Sequence, residues 1–153
     1  MTSIAHIHPM LVHFPIVFFL TLAFVDTIAT LRGVPVTGRG GIGNVSTGLA
    51  LAAGLFAIVT FVFGDMALEF AEAGGFHSDV AEIHEHLGMA TAAAFTVWAI
   101  VRAVAWWRNA RMVGGGAILL TLVELAGAGV VLATAYYGGE LVYGLGVNVA
   151  NAG

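Results

Sequence analysis

The chain has 153 residues, 59% of them hydrophobic and 9% charged, with a net charge of -4 and a mean hydropathy of +0.97. A soluble domain carries about 25% charged residues, so this chain lacks the polar surface to fold in water and is read as a membrane protein. The absence of cysteine excludes disulfides, thiolate metal sites, iron–sulfur clusters and thioether-linked haem, and five arginines without a basic, aromatic-interleaved face exclude nucleic-acid binding.

A membrane span needs roughly 20 mostly apolar residues. Four stretches qualify, at about 10–31, 45–70, 83–107 and 113–137, joined by short links. The expected fold is all-α, a single four-helix transmembrane bundle over 1–153. The segment 1–9 lacks the positive region of a signal peptide, so the first stretch is read as a retained span.

The first helix opens at His8-Pro9, where proline is tolerated in an opening turn. Pro15 lies further in, removes a backbone hydrogen bond, and is expected to kink the helix and free the Leu11 carbonyl. Asp26 is expected near the helix end, within reach of the interface. The glycine- and proline-bearing link after Arg32 is a loop by its turn chemistry. Helix two carries Gly48, Ala52 and Gly54, which permit close helix approach, and runs to Gly64-Asp65. Met66–Ala73 is either its extension or a short interfacial helix, broken by Gly74-Gly75. Asp79-x-x-Glu82 has the pattern of a capping box at the start of helix three. Helix four follows three glycines and holds Glu124 near its middle. Arg102 is a candidate partner for Glu124, with a bound proton as the alternative. Gly138-Gly139 ends the helix, and the apolar tail from Glu140 is expected along the outer face.

Basic residues set membrane orientation. Arg32 and Arg39 occupy the first link, Arg108 and Arg111 the third. The second link and its flanks carry Glu69, Glu72, Asp79, Glu82 and Glu85 instead. Links one and three therefore face the cytoplasm in this reading, and both termini lie outside. Trp106 and Trp107 at one end and Tyr136, Tyr137 and Tyr143 at the other fit interfacial belts.

All six histidines then fall on the outer side: His6, His8, His13, His77, His84 and His86. Histidine inside an apolar bundle is a candidate functional group by default, whereas a solvated interfacial histidine needs no function. His8 and His13 lie about 140° apart around their helix, and His84 and His86 about 200°. Neither pair chelates one ion from one helix face. The expectation is one histidine from each of helices one and three, clamping a flat ligand as in a bis-histidine b-type haem. His13 and His86, the deepest, are the first choice, and His8 and His84 the second. The competing reading is a copper or zinc site from His8, His84, His86 and a carboxylate such as Asp65 or Glu140. Asp65 is also a candidate to orient a ligand histidine.

The run His8-Pro9-Met10-Leu11-Val12-His13-Phe14-Pro15 resembles the opening signature of a family of small four-helix bacterial membrane proteins catalogued as a domain of unknown function. Gly64-Asp65-Met66-Ala67, the His86 region, and Gly139-Glu140-Leu141-Val142-Tyr143 with Gly146-Val147 resemble its later motifs. The resemblance implies a membrane domain that accompanies redox proteins, with b-type haem as the expected cofactor. Leu145 departs from it, since relatives often have histidine there; a second site shared with His8 is put in doubt. The function expected is electron transfer, as a subunit in the bacterial inner membrane that exchanges electrons with a periplasmic carrier or quinol. The alternative is a cofactor-free accessory subunit within a larger complex or homo-oligomer.

Overall fold

The computed structural model describes residues 4–147, and every regular element among them is helical. The elements are α1 (Ile4–Leu11), α2 (His13–Leu31), α3 (Gly41–Ala73), α4 (Asp79–Trp107) and α5 (Gly115–Gly139), which continues into a π-helical turn at Glu140–Gly144. Taken with α1 and α2 as one rod, they give four helices long and apolar enough to cross a membrane. The remainder of the tail lies outside the described residues.

Local chemistry explains the boundaries. The first rod breaks at Val12 because Pro15 has no N–H for the Leu11 carbonyl. That carbonyl accepts instead from the Thr60 hydroxyl of α3 at 3.3 Å. Met66–Ala73 extends α3 without interruption, giving 33 residues or about 50 Å of helix. Gly75, at φ +89°, ends the following turn in the left-handed region that glycine adopts without penalty. The start of α4 differs from the capping-box expectation: Ser78 is the cap, accepting from the Val80 N–H at 3.2 Å, and Asp79 and Glu82 lie in the first turn. There the two acids favour the positive end of the helix dipole.

The four rods form a ring in which α2 packs on α3, α3 on α4, α4 on α5 and α5 on α2. Helices α2 and α4 sit on one diagonal and meet only through long side chains. Small residues at helical spacing let the neighbours close in: Ala50, Ala53, Gly54 and Ala57 of α3 are buried. A methyl on Gly54 would stand 3.0 Å from Ala99 and from the Phe95 carbonyl. At the centre, Phe19 and Phe95 stack at 3.7 Å between ring centroids, flanked by Leu22, Ala92 and Val131. Large apolar side chains such as Leu55, Ile100 and Leu119 face outward, as lipid requires.

The arginine end is closed by its two links. Val36 is buried, and its N–H donates to Met112 at 3.2 Å. The Thr37 hydroxyl donates to the Ala110 carbonyl. The Arg39 guanidinium lies over Trp106 and Trp107 and donates to the Trp107 carbonyl at 2.9 Å. Asp26 departs from expectation: it is fully buried rather than at the interface, and its carboxylate meets Arg102 at 2.8 Å.

Phe95→Ala removes the stacked ring and leaves a void against Phe19. A stability loss of about 3–5 kcal/mol is expected, read by reversible unfolding in mixed micelles. Leu119→Ala on the lipid face is expected to change stability by less than about 1 kcal/mol.

Candidate functional site

The end of the bundle opposite the arginines contains a cavity of about 470 Å³. Its lining comes from α1, the ends of α3 and α5, and the start of α4, and includes His8, Gly64, Asp65, His84, Thr134 and Gly138. His8 and His84 face each other across it, with ring centroids 6.1 Å apart and planes at 78°.

Each imidazole is held in the same way. His8 Nδ1 is 3.0 Å from the Thr60 carbonyl of α3, and His84 Nδ1 is 3.0 Å from the Thr134 carbonyl of α5. A carbonyl only accepts, so each Nδ1 carries the proton and each Nε2 keeps its lone pair. One turn beyond each threonine stands a glycine. A methyl on Gly64 would lie 2.7 Å from His8 Cε1, and one on Gly138 would lie 2.9 Å from His84 Cε1. Each ring thus lies where a side chain would otherwise be. Thr134 is fixed in turn, its hydroxyl 3.0 Å from that of Thr91.

The two halves correspond position by position along the axis. Contacts down the bundle centre join positions at one constant offset of 76: His8 with His84, Phe19 with Phe95, Asp26 with Arg102. The supporting pairs Thr60 with Thr134 and Gly64 with Gly138 share an offset of 74. Contacts between equivalent positions arise where a two-fold axis relates two repeats, here with the axis along the bundle as in parallel membrane repeats. In sequence, His6-Ile7-His8 is loosely like His84-Glu85-His86, but in a different register from the one the structure aligns. The available signal was Thr-x-x-x-Gly, present at Thr60 and again at Thr134.

The remaining sequence candidates divide. His13 lines the cavity but is exposed at its edge. His86 is exposed and does not line it, so the bundle brings together His8 with His84, not His13 with His86. His77 is exposed in the link, its Nδ1 at the Phe76 carbonyl. His6 is exposed. Asp65 lines the cavity, yet the hydrogen bonds that orient the two histidines come from backbone carbonyls. Glu140 is exposed, and Leu145 is half-exposed and not part of the lining. Among the described residues, no three His, Asp or Glu side chains converge as a metal ion would need.

A second polar cluster lies toward the arginine end of the same axis. Arg102 bridges Asp26 at 2.8 Å and Glu124 at 3.3 Å, all three at 0% exposure. The guanidinium also donates to the Val36 carbonyl at 2.6 Å.

This is a four-helix membrane bundle with a histidine pair on its axis. The chain belongs to the DUF2231 family, described as a predicted membrane protein, whose family model matches residues 5–151. No curated protein and no solved structure matches it.

Nitrogen NMR of histidine-labelled protein is expected to show His8 and His84 as Nδ1–H tautomers. Gly64→Val should displace the His8 resonance and leave that of His84 in place, with Gly138→Val doing the reverse. Unmoved resonances in both variants would contradict the cradle.

Proposed function

We propose that the protein is a b-type cytochrome subunit of the bacterial inner membrane, in which His8 and His84 would hold one haem. The observation that carries this reading is the pair of opposed imidazoles, each with Nδ1 tied to a carbonyl and Nε2 left as a donor. With ring centroids 6.1 Å apart, the two imidazoles are close enough that both would reach one metal ion. The cavity of about 470 Å³ lies within the usual range for ligand sites, about 300–1,000 Å³. Gly64 and Gly138 leave the space the two rings occupy, and Gly88 lines the cavity.

The donor set favours haem over a bare copper or zinc ion. Such ions take four donors or more from their surroundings, and two imidazoles are what the described residues bring together. A porphyrin brings four nitrogens of its own and asks the protein for two. It would supply one-electron chemistry, while the chain supplies ligands, orientation and an apolar wall. The carbonyls behind Nδ1 raise ligand basicity. Exposed His13 and half-buried Asp65 among the lining residues give the cavity a polar rim.

Orientation follows from charge. Arginines crowd the links at one end and carboxylates the other, so the histidine end faces the periplasm. An electron carrier or quinol on that side is the natural exchange partner, in a homo-oligomer or larger complex. A role as an electron-transfer subunit is preferred to that of an enzyme by itself.

The test is an absorption spectrum of protein purified from haem-supplied cells, oxidised and then reduced, with haem counted per chain. A sharp reduced α-band at one haem per chain is expected. His8→Ala and His84→Ala should each lower haem content roughly tenfold or more, while His13→Ala and His86→Ala retain it. Colourless wild-type protein would sink the proposal; loss of haem in the second pair of variants alone would sink the ligand assignment.

A further inference from the structure

The axis carries a second group that the histidine site does not use. Asp26 of α2, Arg102 of α4 and Glu124 of α5 are buried together with no exposed surface. If both acids are ionised, two negative charges meet one positive charge. Burial in an apolar bundle penalises that surplus charge severely.

The neighbours do not neutralise it. Asp26 receives the Ser46 hydroxyl of α3 and, at its backbone carbonyl, the Thr121 hydroxyl of α5 at 3.5 Å. Glu124 receives the Trp98 indole N–H at 3.1 Å on Oε1, the oxygen that also meets Arg102. Arg102 spends Nη2 on the Val36 carbonyl. All these partners except Arg102 are uncharged. Glu124 Oε2 and Asp26 Oδ2 are left without an aligned hydrogen bond, although Asp26 Oδ2 is the oxygen nearest the guanidinium. Both carboxyl groups meet the same guanidinium nitrogen, Arg102 Nη1, Asp26 Oδ2 at 2.8 Å and Glu124 Oε1 at 3.3 Å.

Between themselves, two neighbouring carboxylates offer only acceptors. One proton turns them into a donor and an acceptor and removes the surplus charge at the same time. The two-fold pattern singles out the site of that proton. Asp26 and Arg102 are equivalent positions that satisfy each other, whereas the position matching Glu124 in the first half is Ala50. Glu124 is the acid without a counterpart.

We propose that the Asp26–Arg102–Glu124 cluster is a proton-binding site inside the membrane, holding one exchangeable proton on Glu124, beside the Asp26–Arg102 pair, at neutral pH. It stands whether or not the histidine pair binds haem. A carboxyl group that gains and loses a proton within the lipid-spanning region is what proton-linked membrane proteins use. Reprotonation after loss would restore the same neutral balance.

Infrared spectroscopy of the full chain in liposomes tests this. At pH 7, one carbonyl band of a protonated carboxylic acid is expected, shifting on transfer to heavy water. The band should shift with ¹³C-carboxyl glutamate and not with ¹³C-carboxyl aspartate, which identifies its owner without mutation. Glu124→Gln should abolish it. Asp26→Asn should abolish it too, because one carboxylate then balances one guanidinium. Glu85→Gln, at the histidine end, should leave it unchanged. No such band in the wild type, a band that appears only when sodium is withheld, an aspartate-dependent shift, or a band that survives in folded Glu124→Gln would each overturn the proposal.

Discussion

The hydrocarbon interior offers no water to a polar side chain, and this constraint organises the bundle. Asp26, Arg102 and Glu124 are tolerable at zero exposure because they face one another. Lipid gives apolar side chains little reason to turn inward, so the hydrophobic effect contributes less than in a soluble core. Close approach of small residues, one stacked phenylalanine pair and a few polar contacts on the axis take its place. Removing one partner of such a buried ion pair costs more than the pair itself contributes, since the other charge stays behind unpaired.

The two-fold arrangement explains why the functional groups lie on the axis. Diagonal helices α2 and α4 are too far apart for backbone packing, so only long side chains from equivalent positions close the gap. Phenylalanines do this at mid-bundle, imidazoles at one end, and an acid and a guanidinium at the other. The last pair breaks the symmetry in sequence while keeping it in position. Equivalence in place combined with difference in chemistry gives the two ends of one axis separate tasks.

Hydropathy made the four spans legible, and Asp79–Trp107 differs from the expected 83–107 only at its start. Apolar length reports that a segment crosses, whereas its ends are set by caps such as Ser78 and by glycines such as Gly75. The histidines were legible as a group but not as a pair. Depth along a helix can be counted from sequence, and that count favoured His13 and His86. Which way a ring points around the helix depends on neighbours from distant segments, and those neighbours turn His8 and His84 inward. The groups that orient them are backbone carbonyls of Thr60 and Thr134, atoms every residue possesses and no composition reveals. Gly64 reads as part of a motif and Gly138 as a helix terminator; that each makes way for an imidazole depends on the packing of a distant helix. The pairing of Arg102 with Glu124 was readable, since both are rare charges in apolar helices. That Asp26 shares the same guanidinium was not.

Thr60 touches the first rod twice. Its carbonyl accepts from the His8 ring, and its hydroxyl donates to the Leu11 carbonyl that Pro15 leaves open. The break in the first rod and the aim of its imidazole are therefore fastened to one residue of α3. Tilting α1 about Val12 would strain both bonds together, so the short α1 segment acts as a lever whose angle sets the pointing of His8. No proline stands at the equivalent place in α4, where Thr91 occupies the position of Pro15 and ties itself to Thr134. One jaw of the histidine clamp is hinged and the other is built straight into its helix.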